Sequence, residues 1–166
     1  MRIYLLCSLL LGLVHLNAQN APKGKLTYCS YTREGLAAMG TDYCELIANP
    51  STQPKIVVVK NDNCHFAERE EYTYEVSPEV VAQLQELLKK VNLKKVNGYK
   101  KESNERGGYE YRFHIEYDSG EKIHASWHTR SPKVGVVSVY RMIEQFFAPW
   151  RNNIKKNKSY IPSHEN

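Results

Sequence analysis

The sequence predicts an α+β protein, with an antiparallel sheet and two helices packed on one face. Strand-like and helix-like segments follow one another in the order strands, helix, strands, helix. Three of the strand-like segments alternate apolar and polar residues, as half-covered strands do. Two further segments repeat apolar residues at helical spacing. A sheet that is apolar on one face needs a cover, and the two amphipathic helices would provide it.

The first half of the chain reads mainly as strands. Lys25–Thr32 is rich in tyrosine and threonine, and Thr41–Ala48 follows a glycine-containing stretch. Lys55–Lys60 is a short β-branched run bounded by turn residues, which predicts a buried strand. Glu71–Val76 alternates apolar and polar residues with a period of two. These segments predict four strands before the first helix.

The first helix is predicted from Ser77 to Val91. Ser77 suits the N-cap, and Pro78 suits the first helical turn. The apolar residues recur on one helical face, and this stripe is predicted to face the core: Val80, Val81, Leu84, Leu87, Leu88 and Val91. A second amphipathic helix is predicted from Gly135 to Ala148, where Pro149 would end it.

A hairpin is predicted between the helices, after the polar connection Leu93–Gly108, which has room for one short edge strand. The Asp118–Gly120 segment forms its turn. The strands place apolar residues on one face: Tyr111, Phe113, Ile115, Tyr117, Ile123, Ala125 and Trp127. Their polar partners lie on the other face, so the sheet is half covered.

The N-terminus predicts a cleavable signal peptide over residues 1–18. Arg2 supplies a positive charge, and the apolar run Ile3–Val14 is too short to span a bilayer as a helix. Ala18 suits the position before the cut, which places the mature N-terminus at Gln19. We expect a secreted or periplasmic protein with no transmembrane segment in the mature chain. Residues 19–150 would form one α+β domain, and residues 151–166 a basic, disordered tail.

The composition excludes several classes of function. The formal net charge of the 166-residue chain is only +5, so no nucleic-acid partner is expected. The sequence has no GxSxG elbow, so a serine hydrolase has no support. It also has no Walker loop and no GxGxxG, so nucleotide chemistry has no support and no cofactor is expected. Its 12 tyrosines suit a protein recognition surface, although several of them alternate onto core faces.

A metal-dependent hydrolase is the alternative to a binding module. With a three-residue turn, His114 would face His124 across the hairpin, close enough for both imidazoles to bind one metal ion. Glu116 and His128 point to the same side of the sheet. These four residues are the candidate metal ligands, but no HExxH-type spacing accompanies them.

The cysteines permit one disulfide after export. If Lys25–Thr32 and Thr41–Ala48 form a hairpin centred near Leu36 and Ala37, Cys29 lies opposite Cys44 and Cys64 is left unpaired. A Cys44–Cys64 bridge across the next turn is the alternative. Each cysteine also lacks the local signature of a catalytic nucleophile.

The segments Tyr72–Glu79, Tyr111–Ile115 and Asp118–Ile123 resemble small exported bacterial α+β domains of unassigned activity. The resemblance covers roughly residues 25–150 and identifies no functional residue. It implies a bacterial origin and a periplasmic or secreted location. We therefore predict an exported, non-enzymatic binding domain whose partner is an unknown protein or envelope component.

Overall fold

A computed structural model describes residues 22–35, 40–61, 70–102, 107–128 and 132–158, with side chains described as far as residue 154. The predicted signal peptide and Cys64 lie outside these residues. The regular elements follow the predicted order: β1 (Leu26–Gly35), β2 (Thr41–Ile47), β3 (Lys55–Asn61), β4 (Glu70–Glu75), α1 (Pro78–Lys89), a 3₁₀ turn (Leu93–Lys95), β5 (Tyr99–Lys101), β6 (Tyr109–Tyr117), β7 (Lys122–Trp127) and α2 (Val134–Lys158).

The strands form one seven-stranded sheet in the order β4-β3-β2-β1-β6-β7-β5. Neighbouring strands are antiparallel except for the short edge strand β5, which pairs in parallel with β7. This confirms the predicted α+β class and a mostly antiparallel sheet. Within the described residues, neither helix combines the length and apolar content that a membrane crossing requires.

Both helices pack on one face of the sheet. The core residue Tyr31 of β1 lies 5.7 Å, between ring centroids, from both Tyr140 and Phe147 of α2. Leu84 of α1 is fully buried in the same core. Gln85 also fixes α1 against the start of the sheet, because its side-chain oxygen accepts from the backbone N–H of Leu26 at 3.0 Å. The opposite face of the sheet carries neither helix.

The predicted pairing of Cys29 with Cys44 is wrong. The β1–β2 hairpin forms, but its register differs by two residues, so Cys29 lies opposite Leu46 and Cys44 opposite Tyr31. Both thiols are free and buried in the core. A two-residue shift keeps every side chain on the same face, so the apolar pattern is satisfied equally well by either register.

The second helix does not end at Pro149. It continues to Lys158, so the part of the predicted tail from residue 151 to 158 is helical, and residues 159–166 lie outside the described residues. A proline inside a helix removes one hydrogen bond and costs about 3 kcal/mol. Two residues beyond the proline make interactions that offset this cost. Ile154 is buried with 1 % exposure, and Arg151 Nη1 donates to Glu144 Oε1 and Tyr31 Oη, both at 3.2 Å.

Candidate functional site

The face of the sheet opposite the helices is the main candidate surface, and we call it the open face. The strand register brings side chains from neighbouring strands into rows across it. Its central residues are Tyr28, Ser30, Thr32, Tyr43, Glu45, Val57, Val59, Arg112, His114, Glu116, Lys122, His124 and Ser126.

Tyr28, Tyr43 and Glu45 form a hydrogen-bonded group on this face, which we call the Tyr–Glu site. The Tyr28 hydroxyl donates to Glu45 Oε2 at 2.8 Å, and the Tyr43 hydroxyl donates to the same oxygen. The two hydroxyl oxygens are 2.9 Å apart. All three residues are half-buried. The carboxylate is therefore oriented by two phenol donors before any ligand arrives.

Ser30 lies at the centre of this arrangement. The register places it opposite Glu45 on one side and opposite His114 on the other. With 6 % exposure, it is the only polar residue that is buried among the described residues. A polar side chain in the middle of a solvated sheet face would ordinarily be exposed. The side chains around Ser30 thus form a packed surface rather than a loose polar layer.

Both tyrosines of the site are protonated at neutral pH, and burial raises the pKa of each further above its ordinary value. Burial is the largest cause of the raised pKa of Tyr28. Burial also raises the pKa of Tyr43, and the hydrogen bond to Glu45 raises it further. Each phenol therefore remains a hydrogen-bond donor at neutral pH, and the acceptor in both bonds is the Glu45 carboxylate.

Two valines extend the packed surface toward the β4 edge. Val57 lies opposite Glu45, and Val59 lies opposite Tyr43. They are buried to 6 % and 5 % exposure, although they point away from the helical side of the sheet. The Tyr–Glu site therefore has an apolar flank, as the centres of recognition surfaces commonly do.

A charged group lies on the other flank. His114 Nε2 lies 2.7 Å from Glu116 Oε1, and Lys122 Nζ donates to the same oxygen at 2.9 Å. The Lys122 ammonium, followed by His114, holds the pKa of Glu116 below its usual value. The ring of His114 also meets the ring of Tyr28 edge to face, with centroids 5.7 Å apart. This contact joins the charged group to the Tyr–Glu site.

The predicted histidine pair forms, because His114 lies directly opposite His124. The three-residue turn fixes this register, and Gly120 there has a φ of +84°, which favours glycine. His128 is separate from the pair, since its Nε2 lies 3.0 Å from the carbonyl oxygen of Gly107. In the described parts of the chain, no three His, Cys, Asp or Glu residues are grouped as a metal site requires. The metal-dependent hydrolase therefore stays an untested alternative.

The two described cysteines are structural. Burial raises the pKa of the Cys44 thiol to about 12 and also raises that of Cys29. The Cys44 thiol donates to Tyr31 Oη at 3.4 Å inside the core. A nucleophilic cysteine needs a lowered pKa and access to substrate, and neither thiol has them.

A groove of about 600 Å³ separates the outer surfaces of the two helices. Its lining is Glu79, Ala82, Gln83, Glu86, Leu87, Lys90 and Phe146. No described residue of the groove belongs to a hydrogen-bonded group comparable with the Tyr–Glu site. The open face therefore carries the more specific arrangement.

The described residues form an α+β fold in which both described helices pack on one face of the sheet. No protein-family model matches this chain, and no curated protein is significantly similar to it.

Proposed function

We propose that this chain is an exported binding domain that contacts a protein partner through its open face. The observation that carries the proposal is the Tyr–Glu site, which is half-buried and hydrogen-bonded although neither described helix covers it. Export rests on the apolar run Ile3–Val14 and the polar residues that follow it.

The preorganised side chains distinguish this surface from a merely solvated one. Ordering a free side chain on binding costs conformational entropy, and side chains that are already fixed avoid much of that cost. Tyrosine supplies a large contact area with few rotatable bonds, which is why it is enriched at protein interfaces. Tyr28 and Tyr43 are tyrosines that hydrogen bonds already hold in place, so they combine both advantages.

The charge of the open face indicates a basic partner surface. Among the described residues there, glutamates outnumber lysines and arginines, whereas the whole chain has a formal net charge of +5. The glutamates are Glu34, Glu45, Glu71, Glu75, Glu110 and Glu116, and the basic residues are Lys55, Lys100, Arg112 and Lys122. Complementary charge favours encounter with a basic surface and disfavours acidic ones.

The size of the face suits a small, reversible interface. Seven strands spaced about 4.8 Å apart make a sheet about 30 Å wide. Strand segments of about six residues span roughly 20 Å, so the face offers roughly 600 Å². Weak and transient complexes bury areas of this order on each partner.

Capture of the partner by surface variants tests the proposal. We expect Thr73→Arg and His124→Arg, two exposed positions on either side of the Tyr–Glu site, to reduce capture of the partner from envelope and culture fluid by at least about tenfold, a loss of about 1.4 kcal/mol. The added arginines would repel a basic surface and occupy the interface.

The control is Gln83→Arg, which adds the same side chain at an exposed position of α1. It should capture the same protein as the unmodified chain does, as judged by quantitative mass spectrometry. Equal capture by all three variants, or a loss confined to Gln83→Arg, would contradict the proposal.

A further inference from the structure

Glu45 differs from the other paired glutamates near the centre of the open face. Arg112 binds Glu34 and Glu110, both at 2.7 Å, and Lys122 binds Glu116. Among the described side chains, Tyr28 and Tyr43 donate hydrogen bonds to Glu45, and no described lysine or arginine forms an ion pair with it.

This arrangement leaves a half-buried carboxylate with oriented geometry and no ion-pair partner among the described residues. Both phenols donate to Oε2, so Oε1 is the oxygen without a described hydrogen-bond donor. Partial burial of a carboxylate costs free energy unless hydrogen bonds and opposite charge offset it. The two hydroxyl groups supply the hydrogen bonds, and a cationic ligand would supply the charge.

The surroundings favour a planar cation. The hydroxyl ends of Tyr28 and Tyr43 meet the carboxylate at Oε2, and the faces of aromatic rings attract cations. Guanidinium can stack on an aromatic ring while it donates to a carboxylate, and it loses its hydration more readily than an ammonium does. Lys122 is already engaged by Glu116. Lys55, which lies on the neighbouring strand opposite Ile47, is exposed and forms no ion pair with Glu45 among the described contacts.

We propose that the Tyr–Glu site binds the guanidinium of an arginine side chain on the partner protein. In the complex, the guanidinium donates to Glu45 Oε1 and packs against the tyrosine rings, while the phenols hold Oε2. The identity of the donor as a protein partner rests on the proposed function. The affinity of the site for guanidinium is a property of this chain alone and can be measured without the partner.

A matched pair of short peptides tests the site. The probes are acetyl-Gly-Arg-Gly-amide and its citrulline analogue, which keeps the size and planarity of arginine but has no charge. We expect the arginine peptide to shift the backbone amide resonances of Ser30, Tyr43 and Glu45 saturably in two-dimensional NMR, with millimolar affinity. The citrulline peptide should bind at least about tenfold more weakly, since its urea group has no positive charge and replaces one NH2 donor by an acceptor oxygen.

Variants of the protein locate the binding. Glu45→Gln keeps the shape of the side chain and should weaken the binding of the arginine peptide by about tenfold or more. Glu75→Gln is the control, because it removes an exposed carboxylate from the edge of the same face and should leave the affinity unchanged. If Glu45→Gln fails to give a folded spectrum, Tyr43→Phe replaces it, and a several-fold loss is expected because one donor that orients Oε2 is removed.

Equal binding of the two peptides, no saturable shifts with the arginine peptide, or unchanged affinity in Glu45→Gln would each overturn the guanidinium site. None of these results affects the capture experiment with Thr73→Arg and His124→Arg. A failure of the guanidinium site is therefore distinguishable from a failure of the open face as the binding surface.

Discussion

Replacing Leu84 by alanine should lower the free energy of unfolding by about 2–5 kcal/mol. Leu84 lies on the inner side of α1 with 0 % exposure, and the truncation would leave a cavity between this helix and the sheet. Urea unfolding followed by far-UV circular dichroism measures the loss. A domain of this size is stable by only about 5–15 kcal/mol, so the variant should show a clear shift of its midpoint.

Two neighbours in α1 serve as controls for Leu84. Gln83→Ala should change the free energy of unfolding by less than about 0.5 kcal/mol, because Gln83 is exposed. Leu87→Ala should cost less than Leu84→Ala, because Leu87 is only half-buried and lines the groove between the helices. Equal losses of unfolding free energy in Leu84→Ala and Gln83→Ala would mean that α1 does not pack on the sheet as described.

Replacing Ile154 by alanine should also lower the free energy of unfolding by about 2–5 kcal/mol. Ile154 is 1 % exposed and lies beyond Pro149, where the sequence predicts a disordered tail. The same urea unfolding experiment measures it. The matched control is Asn153→Ala, an exposed neighbour on the same helical turn, which should change stability by less than about 0.5 kcal/mol.

The comparison of these two variants decides where the folded domain ends. A small and equal effect at both positions would show that the ordered chain stops near Pro149, as a proline usually implies. A large effect at Ile154 alone would show that burial of this side chain, together with the Arg151 contacts, outweighs the cost of the proline.

Much of the fold could be predicted because its elements have strong local signals. The stripe of α1 and the alternation of β6 and β7 each determine a single buried face, and both were predicted with boundaries close to those observed. The turn at residues 118–120 also has a specific chemistry, so the opposition of His114 and His124 followed from the sequence.

The register of the first hairpin could not be predicted in the same way. Pairing Cys29 with Cys44 and pairing Cys29 with Leu46 both keep Cys29, Tyr31 and Cys44 on the core face. Only a one-residue slip would have exposed apolar residues, so the hydrophobic pattern does not distinguish registers that differ by two. The connection between these strands has no turn motif that selects one of them.

The Tyr–Glu site depends on that same register. Tyrosines occur on both faces of β1, where Tyr31 is buried in the core and Tyr28 lies on the open face. Composition alone cannot assign these tyrosines to a face. The approach of Tyr28 and Tyr43 to Glu45 also joins residues of two strands, and alternation within one strand carries no information about such a contact.

Photo-crosslinking in the cells that produce the chain tests the role of the open face most directly. A photoactivatable phenylalanine analogue is placed at Thr32 or His124 on the open face, and at Gln83 on α1 as the control. Irradiation should yield an adduct with the same protein from Thr32 and His124 and none from Gln83. An adduct from Gln83 alone, or no adduct from either open-face position, would contradict the assignment of the open face as the binding surface.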